Sequence, residues 1–332
     1  MEIRQIFINR AGRLRSGWRV LTFVLIYTFL LFLVTTGVRI LYVLSTRLWP
    51  NVAWPGNLED FVYRIILLIA ALGAGYICTR LLEGLPWRAL GLTRHPGWLR
   101  DLLIGSAIGF ISLAFATAIA AAGGGLRFSF AGSAMLSAIV RTLIFSAILF
   151  IGAALAEEAL FRGYPLQTLT RAGLASLGIL VTSVPFAAIH LQNPNVAQGF
   201  TFVNTALAGV WFAIAYLRTR SLWFPLGIHW AWNWTQASLF GLPVSGITSI
   251  APHPLLNGAD LGPSWLTGGS YGIEGGLACT VTIVIFTLFI WRTRLLTATE
   301  ELKVLTSQEN PARTNLVVSP LVSSAQPNGR AD

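Results

Sequence analysis

Charge is what this sequence has least of. Asp, Glu, Lys and Arg make up 11% of its 332 residues, where a soluble domain carries roughly 25%. With 55% hydrophobic residues and a mean hydropathy of +0.67, a water-soluble globule is excluded and a polytopic membrane protein is indicated. Cysteine is nearly absent: Cys78 and Cys279 both lie in apolar segments and in no C-x-x-C pair. That excludes a disulfide framework and a cysteine metal site, and leaves packing as their role. No internal repeat is present, so the paired halves common in transporters are missing. The compact H-E-x-x-H string of many zinc proteases does not occur either.

What the chain does have is apolar segments, eight of them, at 19–43, 61–82, 102–122, 134–160, 174–191, 200–217, 221–240 and 272–291. Most are near the roughly 20 residues that a bilayer-crossing helix needs. They predict an all-α polytopic membrane protein of about eight transmembrane helices. The first run is longer than a typical signal-peptide core and ends without a small-x-small cleavage site, so it is expected to be retained. Residues 1–18 form a basic flank, 19–296 the membrane domain with its core at 134–240, and 297–332 a Ser-, Thr-, Asn- and Pro-rich tail expected to be disordered. Gly241–Gly272 reads as a polar loop between the last two segments.

The formal charge of +10 is unevenly spread. If the N-terminus is cytoplasmic, the cytoplasmic side collects Arg4, Arg10, Arg13, Arg15, Arg19, Arg80, Arg88, Arg94, Arg100, Arg162, Arg171, Arg218, Arg220, Arg292, Arg294, Lys303, Arg313 and Arg330. The other side receives Arg39, Arg47, Arg64 and Arg127, and Arg141 falls inside the fourth segment. This asymmetry fits eight spans with both termini cytoplasmic in a cell membrane, and it makes the basic excess a topology signal instead of a nucleic-acid surface.

One apolar segment carries charges that need compensation. Ile151–Arg162 reads I-G-A-A-L-A-E-E-A-L-F-R, and a carboxylate near the middle of a membrane helix costs about 2.5–3.5 kcal/mol on insertion scales. Arg162 lies four residues after Glu158, the favoured orientation for a helical ion pair. Glu157 points about 100° away, toward another neighbour. Two of the four histidines offer that neighbour: His190 in V-P-F-A-A-I-H and His229 in P-L-G-I-H-W-A-W-N-W. Segments four and five form a hairpin around Gly173, and counting outward at about 1.5 Å per residue puts Glu157 and His190 at nearly equal depth. Segments six and seven turn near Thr219–Ser221, and His229 and Asn233 follow on one helix face at i and i+4. Glu157, His190, His229 and Asn233 are therefore expected to converge in a four-helix core, in a cavity opening toward the two turns. Gly152, Ala153, Ala154 and Ala156 permit the close helix approach this needs. His95 and His253 read as ordinary loop histidines, and the tryptophans chiefly as interface anchors or cavity lining.

A carboxylate beside an imidazole can hold and deprotonate a water, and a histidine with an asparagine amide can donate to the oxyanion of an amide under attack. The other use of the same groups is metal: Glu157, His190 and His229 could form a Glu/His2 zinc site with a position open for water.

These residues resemble a known family. E-E-x-x-x-R at Glu157, Glu158 and Arg162, F-x-x-x-H at Phe186 and His190, and H-x-x-x-N at His229 and Asn233 are similar to the three motifs of the CPBP family, the type II CAAX prenyl endopeptidases and bacteriocin-processing proteins also called Abi. The resemblance implies an intramembrane endopeptidase acting on peptide or membrane-protein substrates in the bilayer. By that resemblance Glu157 is the base, His190 holds the water, His229 and Asn233 form the oxyanion hole, and Glu158 with Arg162 is a supporting pair. Both a metal-dependent and a metal-free glutamate mechanism are argued for the family. Two readings from other classes stand beside it: a non-catalytic scaffold using the polar cluster to bind partners, and a transporter, which ranks last without repeated halves.

Overall fold

The structure, a computed structural model, describes residues 3–9, 12–51, 58–132, 135–196 and 199–307. Its helices in chain order are α1 Ile3–Phe7, α2 Ser16–Leu48, α3 Leu58–Glu83, α4 Trp98–Ala122, α5 Leu136–Glu158, α6 Tyr164–Arg171, α7 Ala175–His190, α8 Phe200–Thr219, α9 Trp223–Trp234, α10 Ser264–Thr267, α11 Leu277–Arg292 and α12 Glu300–Thr306. A π turn at Ala159–Gly163 joins α5 to α6, so Leu136–Arg171 is one helical rod of 36 residues. A second π turn, Thr235–Leu239, extends α9. All eight apolar segments are helical, and the fold is an all-α polytopic membrane bundle. Five helices are long and apolar enough to cross a bilayer: α2, α3 from Phe61, α4, the Leu136–Arg171 rod and α8; α7 and α11 are apolar but shorter, 16 residues each.

One end of the bundle gathers the cations. Arg19, near the start of α2, lies 3.2 Å from Glu83 at the end of α3, and Arg171 at the end of α6 lies 2.5 Å from the same carboxylate, all three side chains buried. Thr168 donates to Glu83 at 2.6 Å. Single acids and bases buried here would be strongly penalised; sharing one carboxylate between two guanidiniums ties three helix ends together. The α8–α9 turn joins the same end, where Leu222 N–H donates to the carbonyl of Gly91 at 2.9 Å, and Arg218 donates to the carbonyl of Thr293 just after α11. Arg80, Arg88, Arg94, Arg100, Arg220, Arg292 and Arg294 lie in these same helix ends and connections.

The opposite end departs from the expected polar loop. Between α9 and α11 the chain forms β2 (Leu256–Asp260), which pairs antiparallel with β1 (Leu126–Phe130) following α4, Leu126 opposite Asp260 and Phe130 opposite Leu256. Before reaching β2, residues 244–250 fold inward, with Val244 and Ile250 packed against Leu149, Phe150 and Ala237. Apolar residues at 244, 247 and 250 supply the reason: they bury better against α5 and α9 than in water.

The expected tail is also partly ordered. α12 falls within it, with the Thr299 hydroxyl capping its N-terminus by accepting from Leu302 N–H, Leu302 buried, and Glu301 2.5 Å from Arg88. Residues 308–332 lie outside the described residues.

Helix α9 is held by α4 through glycine. A Cβ added at Gly105 would stand 2.3 Å from the carbonyl oxygen of Phe224, one at Gly109 2.3 Å from that of Ile228, and one at Gly227 2.3 Å from that of Leu102. The G-x-x-x-G spacing of α4 lets two backbones touch, the usual device for helix association in lipid, where apolar burial gives little drive. Gly109→Ala should therefore lower the unfolding midpoint in detergent, by an overpacking penalty of about 1–3 kcal/mol. Gly152→Ala, where an added Cβ meets nothing within 4 Å, should leave the midpoint unchanged or slightly higher.

Candidate active site

The adjacent glutamates separate by environment. Glu158 is fully buried, whereas the Glu157 side chain is 25% exposed and faces a cavity of about 690 Å³. The 100° step between neighbouring helix positions is enough to put one carboxylate inside the packing and the other at its surface.

Glu158 is a junction. Its Oε1 accepts from Arg162 Nη1 at 3.2 Å, within the helix, and from His229 Nδ1 at 2.9 Å, across to α9. Arg162 is itself fully buried and donates through Nη2 to the carbonyl of Gly209 on α8 at 3.1 Å. Three aromatic rings surround its guanidinium, with centroids 4.6 Å (Phe186), 5.2 Å (Phe212) and 5.7 Å (Phe161) away. Desolvated cation–π contacts are worth about 2 kcal/mol or more, which helps a buried cation tolerate the loss of water. The same rings hold His229: Phe212 stacks on it at 4.6 Å and 15°, and Phe186 meets it edge-on at 6.1 Å.

His190 is oriented by its own helix. Its Nδ1 donates to the carbonyl of Phe186 at 2.7 Å, four residues earlier, leaving Nε2 as the free nitrogen. His190 is the last residue of α7. Pro185 within α7 and the polar Gln192, Asn193 and Pro194 after it account for the early stop. From the α6–α7 turn, Glu157 is about 21 Å along one helix and His190 about 22 Å along the other. Both line the cavity, together with His229 and Asn233. His229 Nε2 is 3.6 Å from Glu157 Oε2, and that oxygen has no hydrogen-bond partner among the described residues.

The residues that line the cavity do not reach the two turns. Beyond His190 the wall is made by Gln192 and Asn193 after α7, by Ser245, Ile247 and Ile250 of the inward-folded segment, and by Tyr63 and Arg64 near the start of α3. No residue of the turns lines the cavity; α7 ends at the histidine, and lining residues lie beyond that end. On the turn side, Arg162 and the residues from Gly163 to Leu169 are buried.

Two participants escaped the sequence reading. Phe212, whose ring contacts both Arg162 and His229, carries no motif and is recognisable only once α7 and α8 are packed. Glu274 lines the cavity, its Oε2 accepting from the N–H and the hydroxyl of Ser245 at 2.5 and 2.9 Å, and its Oε1 from Trp232 Nε1 at 3.2 Å. Burial raises its carboxyl above the ordinary value, against the lowering effect of the Ser245 bonds and of His190. Nearby Tyr271 is pushed up to about 12, mainly by burial. A lone acid in the glycine-rich 268–276 stretch before an apolar helix was the available signal. Glu274 fastens the inward-folded segment to α9 between His229 and Asn233.

Glu157, His190 and His229, the candidate metal set, do not meet as a cluster of metal-binding geometry; among the described residues no three His, Cys, Asp or Glu side chains do. The pair closest to that role is Glu157 with His229.

Arg162→Leu would strand Glu158 without its cation, and breaking a buried pair from one side costs about 3–5 kcal/mol. Thermal unfolding in detergent should show that loss, and Arg162→Leu combined with Glu158→Gln should recover part of it.

No curated protein and no solved structure matches this chain. A protein-family model does: residues 139–235 match the family described as "Type II CAAX prenyl endopeptidase Rce1-like". That span holds all three motifs and every residue from Glu157 to Asn233 described above, and it agrees with the family to which the motifs pointed. Over residues 139–235 the chain is therefore similar to the Rce1-like type II CAAX prenyl endopeptidases, the resemblance the motifs carried.

Proposed function

We propose that the protein is an intramembrane endopeptidase in which Glu157 acts as general base on a water shared with His190, and His229 and Asn233 hold the oxyanion. The observation that carries this reading is the unequal surroundings of the two glutamates. Glu158 is fully buried and holds Arg162 and His229 through one oxygen, whereas the Glu157 side chain is 25% exposed and lines the cavity.

In this reading Glu157 takes a proton from the water as its oxygen attacks the peptide carbonyl, and His190 Nε2 accepts the other hydrogen to aim the attack. The carbonyl oxygen becomes an oxyanion and receives hydrogen bonds from the Asn233 amide and from His229. Because His229 Nδ1 already donates to Glu158, its donation through Nε2 requires hydrogen on both ring nitrogens. As the C–N bond breaks, Glu157 returns its proton to the departing amine. The products are a new carboxyl terminus and a new amino terminus, with one water consumed.

Asn233→Ala should lower cleavage by about 10²–10³-fold, the usual loss for one oxyanion donor, while Glu157→Ala and His190→Ala should abolish detectable cleavage. Peptide termini in membrane fractions, read by mass spectrometry from cells making equal amounts of each variant, measure this. Termini unchanged by Glu157→Ala would overturn the proteolytic reading. On the metal-free route proposed here, cleavage by the purified protein should survive a strong chelator; loss on chelation and recovery with zinc would assign the Glu/His groups to a metal instead.

A further inference from the structure

We propose that the cavity receives polypeptide from the side of the membrane opposite the basic end, so that, with that end cytoplasmic, its substrates are extracytoplasmic polypeptide segments. The identity of the occupant as a substrate rests on the proteolytic reading above; the sidedness of the mouth does not.

Three observations meet in this assignment. The first is where the cavity ends. Toward the end of the bundle that carries the β1–β2 ribbon, its lining includes Gln192, Asn193, Ser245 and Arg64. A guanidinium, two amides and a hydroxyl at one rim describe a wet mouth, since polar groups within a membrane domain gather around water-filled space.

The second is what closes the other end. Below Leu160 the rod is buried from Phe161 through Leu169, and the Arg19–Glu83–Arg171 cluster, with Thr168 on the same carboxylate, fills the space among α2, α3 and α6. A peptide arriving from the basic end would have to pass about 20 Å of packed helix to reach Glu157. From the opposite end it meets the cavity directly.

The third is charge. The closed end bears the arginines of every connection there, whereas the described cations toward the mouth are Arg39, Arg47, Arg64, Arg127 and Arg141. Connections rich in Lys and Arg stay in the cytoplasm. The closed end is then cytoplasmic and the mouth faces out. Cavity walls of Leu67, Phe150, Ile189, Ile250 and Ile283 alternate with this polar rim, which suits an extended segment with apolar side chains near the outer membrane surface. A soluble cytoplasmic protein has no route in.

Single cysteines report the sides directly. Gln192→Cys marks the rim, Leu261→Cys the ribbon end and Leu174→Cys the α6–α7 turn; all three positions are exposed, while the native Cys78 and Cys279 are buried. A membrane-impermeant maleimide should label Gln192→Cys and Leu261→Cys in intact cells at least tenfold above the unsubstituted chain. Leu174→Cys should label only after permeabilisation. Labelling of Gln192→Cys and Leu261→Cys only after permeabilisation would overturn the orientation. Outside labelling of Leu261→Cys with Gln192→Cys reached only from within would overturn the position of the mouth. The pattern should be identical in a Glu157→Ala background, since labelling needs no catalysis. A failure here is thereby separable from a failure of the proteolytic reading, which the Glu157-dependent peptide termini judge.

Discussion

The buried carboxylate of Glu158 is the constraint on which the rest of the site depends. A charge with no access to water is tolerated only when paired and hydrogen-bonded, and this one is held by a cation from its own helix and an imidazole from α9. Those two bonds fix the rotation of the Leu136–Arg171 rod, the distance to α9 and the plane of His229 together. Arg162 extends the hold to α8 through Gly209, and three phenylalanines replace the water it has given up. With Glu158 so fixed, the neighbouring Glu157 has one direction left, into the cavity.

The cavity exists because helices stop or bend where they do. α7 ends at His190, so the imidazole stands at the edge of a space no helix fills, and the segment 244–250 folds in to wall part of it. π turns follow the glutamates on one helix and Asn233 on the other, a placement common beside functional groups. Elsewhere the scaffold is rigid: α4 meets α9 backbone to backbone through Gly105, Gly109 and Gly227, and the ends of α2, α3 and α6 share Glu83. The helices carrying His229 and the glutamates are each anchored away from the cavity, which lets the cavity itself hold polar groups.

Much of this was legible in the sequence. Apolar run lengths marked the helices, and residue counts on either side of Gly173 were enough to level Glu157 with His190, because helical rise is nearly constant. The i+4 spacing of Glu158 and Arg162, and of His229 and Asn233, needed only the helix period. What could not be read depended on packing between distant segments. Phe212 matters through the His229 ring and the Arg162 guanidinium it touches, neither of them near it in the chain. Glu274 reaches the site because a loop that looks merely polar folds back across α9. The side of Glu157 and His190 on which the cavity lies was not legible: leveling two residues fixes their depth but not which side of that depth is filled. The tail was misjudged by composition, which averages over the capped, amphipathic turn at Glu300–Thr306.

The central claim is a division of labour between adjacent carboxylates, Glu158 holding the helices and Glu157 meeting the substrate. The most direct test sets Glu157→Gln beside Glu158→Gln and measures, for each, the unfolding midpoint in detergent together with Glu157-dependent cleavage. Glu157→Gln is expected to keep the midpoint and lose cleavage, and Glu158→Gln to lose stability as well, by about 3–5 kcal/mol if the amide leaves Arg162 effectively unpaired. Equal destabilisation by both substitutions, or a stable and fully active Glu157→Gln, would contradict it.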